Sequence, residues 1–207
     1  MAPVHINRAV SIPFLVAFLL IIASVALPST ITLDRSGSLA LLEMATEHST
    51  SPLDGLVLGL AQTSTSPPTV RVTVTNNNSH PVTIITYNSP LDGLALPLGL
   101  LSITPDGASD ALELNIIKAS RVWPPKPDSL VGLDAGAQAT NDMVLKAPTV
   151  PMDKLGKKAT VFLQGHWMGV FARAKDQVSA HDLDHLRSQP DVFEGDFKSE
   201  SIEITID

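Results

Sequence analysis

Hydrophobic and polar residues alternate with a period of two over much of this chain. Val70, Val72 and Val74 alternate with Arg71, Thr73 and Thr75. That spacing puts the valines on one face of a strand and the polar residues on the other, and β-branched residues suit a pleated surface. Asn76 to His80 follows as a polar turn, since asparagine tolerates left-handed backbone and bonds its own chain. Pro81 opens a second run to Tyr87, where a missing N–H does least harm. The pattern predicts a hairpin between Thr69 and Asp92. With a strand over Leu56–Thr63 before it, the prediction becomes a three-strand meander.

The same alternation predicts strands over Leu98–Thr104, Leu112–Ile117, Leu130–Leu133, Ala137–Lys146, Ala159–Phe171 and Ile202–Ile206. Pro105-Asp106-Gly107 is a strong turn after the first of these. Trp123 to Asp128, rich in proline, must be a loop, with Trp123 as a core or rim anchor. Lys175–Ser188 reads as helical, with Val178, Leu183 and Leu186 on one face. Short strands at regular spacing, separated by Pro, Gly, Asn and Asp turns, predict an all-β fold. The expected architecture is an antiparallel, immunoglobulin-like β-sandwich of about seven to eight strands, with a short helical insert near 175–188. Ser51-Pro52-Leu53-Asp54-Gly55-Leu56 recurs as Ser89-Pro90-Leu91-Asp92-Gly93-Leu94. Two copies are too few for a solenoid and read as one turn used twice before a strand.

The beginning of the chain is different. Ala9 to Leu27 is almost wholly apolar and follows Arg8. It is expected to form a hydrophobic helix, as a signal peptide cut near Ser24-Val25-Ala26 or as a signal anchor, being near the ~20 residues that span a bilayer. Arg8 favours an inside N-terminus with the domain outside. The expected organisation is residues 1–27 as signal peptide or anchor, 28–50 as flexible linker and 51–207 as the sandwich. Translation from Met44 would instead leave a cytoplasmic protein.

Composition narrows the chemistry. With 44% hydrophobic residues the chain affords a core. A formal charge of -7 argues against nucleic-acid binding, which needs a basic patch. The chain has no cysteine, so disulfides, thiolate catalysis and Cys-ligated metals are excluded. No nucleophile elbow, P-loop or dinucleotide fingerprint occurs. Neither a catalytic residue nor a cofactor is expected. The metal candidates are His181 and His185, which share a helix face at i and i+4, with His166 or Asp191 as third ligand. Against this stands an ordinary charged helical insert, and His166 read as a packed strand residue. Glu113, Glu194, Asp196 and Glu200 read as solvent-facing charges. Asn77-Asn78-Ser79 is a glycosylation sequon, meaningful only if the chain enters the secretory route.

Leu56-Val57-Leu58, Val70 to Asn76 and Ile85 to Asp92 together resemble the propeptide region of fungal deuterolysin-type metalloproteases, as Leu133 to Gly136 resembles its L-x-A-G turn. The chain is also similar to uncharacterised fungal proteins that carry this domain alone. No HExxH occurs, so the resemblance implies the sandwich without its protease domain. In those enzymes the region is implied to assist folding and to hold the enzyme inactive. The expected partner is therefore another protein, with a protease as one alternative, and a membrane contact only through residues 9–27 if these are kept.

Overall fold

A computed structural model of the chain describes residues 51–207. The expected hydrophobic helix, the linker and the alternative start at Met44 fall outside the described residues. Among the described residues no helix is long and apolar enough to cross a membrane. The expected antiparallel sandwich forms, built from nine strands: β1 (Leu56–Thr65), β2 (Pro68–Asn76), β3 (Val82–Ile85), β4 (Leu101–Pro105), β5 (Leu130–Leu133), β6 (Gln138–Val144), β7 (Lys158–Phe171), β8 (Val192–Lys198) and β9 (Ile202–Thr205).

One sheet has the order β1-β2-β6. The other is built around β7. β9 and then β8 run along one edge of β7, while β4 and β3 share the opposite edge and β5 pairs with β3. Ser199 fills the break between β8 and β9. Its hydroxyl accepts from the Leu163 N–H at 2.9 Å, and its own N–H donates to the Leu163 carbonyl at 2.8 Å. The inner faces meet in a core of Val70, Val72, Val74, Ile84, Leu101, Ile103, Val161, Leu163, Trp167 and Phe197, all buried. Trp167 and Phe197 pack ring on ring, with centroids 4.9 Å apart. Where β1 comes close to β9, the Gln62 side chain replaces a ladder rung: it accepts from the Thr205 N–H at 2.9 Å and donates to the Thr205 carbonyl.

The expected meander does not form. β2 pairs with β1 and β6, and β3 belongs to the other sheet, paired with β5 and β7. The residues between them are an arch that changes sheets, and Asn76 anchors it. Its side chain is fully buried and donates to the carbonyls of His80 (2.9 Å), Leu133 (3.0 Å) and Asp134 (3.1 Å). A buried amide costs little only when its groups are satisfied. Here one partner lies in the arch and two lie at the end of β5 on the far sheet, so the amide ties the crossing down.

Two further expectations are corrected. Leu112–Ile117 is extended but not a strand; its N–H groups go singly to Ile103, Thr149 and Pro97. Leu98–Leu100 is wound in turns, and β4 begins only at Leu101. β8 was not anticipated. The short helical insert expected near 175–188 is present, as two 3₁₀ turns flanking a five-residue helix, α1 (Ala180–Asp184). Ser179 caps α1: its hydroxyl accepts from the Asp182 N–H, while the Asp182 carboxylate accepts from the Ser179 N–H. That reciprocal box starts the helix. Leu183 and Leu186 do face inward, onto Ile85, Leu130 and Phe171.

Candidate functional site

Between the end of β4 and Pro127 the chain runs without helix or strand. Loops of this length inside a compact domain are uncommon and tend to carry function. The alternation within it explains its course. Leu112 and Leu114 turn inward and pack on the core. Ile116 and Ile117, Val122 and Trp123 then find no core to enter, and are 63%, 46%, 56% and 53% exposed. Among the described residues the one other large hydrophobic side chain with comparable exposure is Val57 on β1. The expectation that Trp123 anchors the core or its rim is thus corrected: Trp167 is the buried tryptophan.

The loop is tied down along its length. The Leu112 N–H donates to the Ile103 carbonyl at 2.7 Å, the Asn115 N–H to Thr149 at 2.9 Å and the Ile117 N–H to Pro97 at 2.8 Å. The Asn115 side chain adds a bond to the Pro148 carbonyl. Ile116 lies over Gly99, where an added Cβ would come within 2.9 Å of its methyl; the positive φ of Gly99 also favours glycine. Arg121 is the main anchor. Its guanidinium pairs with the Asp92 carboxylate and sits 4.9 Å from the Tyr87 ring centre, at cation–π range. Asp92 is 4% exposed. It also accepts from the Asn88 N–H at 2.8 Å and the Leu94 N–H at 2.9 Å, so the buried charge is both paired and hydrogen-bonded. Beyond Arg121, Trp123 forms one wall of a 310 Å³ cleft completed by Asp184, His185, Leu186, Arg187 and Ser188.

Among the candidate metal residues His181 and His185 are neighbours, while His166 and Asp191 are each engaged by another side chain. The His181 and His185 rings stack at 4.3 Å, and His185 Nδ1 lies 3.0 Å from the His181 carbonyl oxygen. His166 is on β7, where it meets Asp196 at 2.7 Å; its side chain is half exposed, which corrects its reading as a packed residue. Asp191 is engaged by Arg173 at 3.1 Å, and Arg173 also reaches Asp182 at 3.2 Å. Among the described residues no group of three or more His, Asp or Glu side chains is arranged to hold a metal ion. Hydrogen bonds from the backbone and hydroxyl of Ser179, aided by Arg173, hold the Asp182 carboxyl below the usual carboxylate range. A hydrogen bond from Arg71 does the same for Asp142 across the exposed face of β2 and β6. Asn77 lies on the arch with its side chain in solvent.

Sequence reasoning missed the Asp92–Arg121 anchor. Two clues were present: a lone cation inside the run Ala119 to Pro125, and an aspartate in a second Ser-Pro-Leu-Asp-Gly-Leu followed closely by Pro97.

Two antiparallel sheets packed face to face are the architecture that immunoglobulin-like domains share. Residues 55–206 match an immunoglobulin-like domain family, and the chain belongs to it. It is also 29% identical over 162 residues to an uncharacterized secreted protein of the fungus Arthroderma benhamiae, across 74% of this chain and 81% of that protein. Neither match concerns a metalloprotease.

Proposed function

We propose that the chain is a non-catalytic protein-binding module of the secretory route, and that it holds its partner through Ile116, Ile117, Val122 and Trp123. The observation that carries this reading is the concentration of exposed apolar side chains on a loop whose backbone is bonded to the sandwich. Apolar and aromatic side chains on a loop ordered in advance lose little entropy on binding, and tryptophan is prominent among binding hot spots. The secretory assignment rests on the apolar run Ala9–Leu27 and on the description of the similar fungal protein. Carbonate extraction separates an uncleaved anchor from a cleaved signal peptide, and the mass of the native N-terminus tests a start at Met44.

The test uses the wild-type protein and an Ile116→Ser/Trp123→Ala variant as baits for extracellular proteins of the producing organism. A partner whose Kd weakens at least about tenfold in the variant supports the reading. A partner held equally by both proteins contradicts it. The narrower proposal that the partner is a metalloprotease rests on the likeness carried by Val70–Asn76 and Ile85–Asp92. Dose-dependent inhibition of a deuterolysin-type enzyme supports that proposal, and unaltered proteolysis at saturating protein removes it.

A further inference from the structure

We propose that Asn77 carries an N-linked glycan, an inference that rests on the secretory assignment above. Three consecutive asparagines run from the last residue of β2 into the arch that leads to β3, and the fold gives each a different task. Asn76 is buried and its amide is committed to His80, Leu133 and Asp134. Asn78 donates its amide to the carbonyl of Pro52 at 2.9 Å and to Asn76 Oδ1 at 2.8 Å, with its side chain packed over Gly55. Asn77 is held by its backbone, whose N–H donates to the Gly55 carbonyl at 2.8 Å. Its side chain is exposed and has no hydrogen-bond partner among the described residues. The asparagine that the arch leaves free is the one that heads an Asn-x-Ser triplet, Asn77-Asn78-Ser79, and Ser79 is exposed as well. The chain contains no other Asn-x-Ser/Thr triplet.

The reaction joins the Asn77 amide nitrogen to C1 of a lipid-linked oligosaccharide. The C1–O bond to the lipid diphosphate breaks, the diphosphate departs with the electron pair, and the amide nitrogen loses one proton to the transferase. The position accommodates a bulky adduct. The neighbouring turn Asp134–Ala135–Gly136 and Asp54 are exposed and bear no large apolar side chain. The Asn115 end of the apolar loop lies elsewhere: it is bonded to Thr149, past the Leu145 N–H that meets Pro68, at the opposite end of β2 from Asn76. A glycan on Asn77 therefore leaves that end of the proposed binding surface uncovered.

The test expresses the full chain in a fungal secretory host and maps residue 77 by mass spectrometry after amidase deglycosylation. The expected result is protein in the medium with Asn77 converted to Asp, and loss of that conversion in both Asn77→Gln and Ser79→Ala. Ser79→Thr should keep it. Secreted, folded protein with unmodified Asn77 overturns the proposal while leaving the secretory reading intact. Protein retained in the cytosol overturns the secretory reading and this inference with it.

Discussion

The two copies of Ser-Pro-Leu-Asp-Gly-Leu fold into the same turn and then diverge. In each, the serine hydroxyl accepts from the residue two positions on (Leu53 at 3.3 Å, Leu91 at 3.1 Å), and the serine carbonyl accepts from the aspartate N–H (3.0 and 3.1 Å). After the first copy the chain enters β1 at once. After the second it keeps winding, with Ala95 bonded back to Asp92 and Leu98 to Leu94. The cause lies downstream. Val57 and Leu58 suit a ladder, whereas Pro97 has no N–H to contribute to one. The copies also use different residues. Asp54 is exposed, while Asp92 is buried and holds Arg121. Gly55 is needed because an added Cβ would lie 2.3 Å from the Asn78 amide oxygen, whereas nothing lies within 4 Å of one added at Gly93. A shared hexapeptide sets the turn, and long-range partners decide which residue of it matters.

This contrast is broken most severely at the aspartates. Asp92→Ala should cost about 3 kcal/mol, since it strands the Arg121 charge, and Asp54→Ala should stay within about 0.5 kcal/mol; urea unfolding of both variants measures the gap. The glycines should reverse the order. Gly55→Ala should cost about 1–3 kcal/mol by overpacking against Asn78, and Gly93→Ala should be near neutral. Ser89→Ala comes next, at about 1 kcal/mol, because Ser89 is buried and also donates to the Thr86 carbonyl at 2.8 Å. Ser51→Ala, which loses the longer 3.3 Å contact alone, should cost less in the same assay.

The smallest effect sits outside both copies and serves as a control. The Asp182 carboxyl is depressed in the folded protein, chiefly by the Ser179 hydrogen bonds. Its stabilisation is complete above the ordinary carboxylate pKa of about 4 and is lost as pH falls through the lower folded value. The protection of the Ser179 amide, measured against its intrinsic exchange rate, should be lost as pH falls through that lower value in the wild type. In Asp182→Asn that step should be absent.

The faces of the strands were legible in the sequence, because period-two alternation reports which side is buried. Their partners were not. Val82–Ile85 is buried on both faces and carries no alternation to say whether it pairs with β2 or crosses to β7; a buried asparagine amide bonds the arch to the end of β5. β8 was hidden because a register shift between Trp167 and Val170 disturbs its pairing with β7, leaving Val192 and Phe193 both half-buried. The apolar loop was misread in the opposite sense. Leu112–Ile117 alternates like a strand, yet its bonds go to separate parts of the chain. The histidines at 181 and 185 did fall on one turn, as their spacing requires, but the topology sets His166 on a long strand against Asp196.

The central claim is that Asp92, through Arg121, holds the Ile116–Trp123 loop ready for a partner. Native-state hydrogen exchange in Asp92→Asn, which keeps the shape and removes the charge, tests it most directly. The account predicts that the Ile117 amide, bonded to Pro97, is quickened at least about tenfold more than the Val72 amide of the β-sheet core, which follows global stability alone. Equal quickening of the two amides would contradict it.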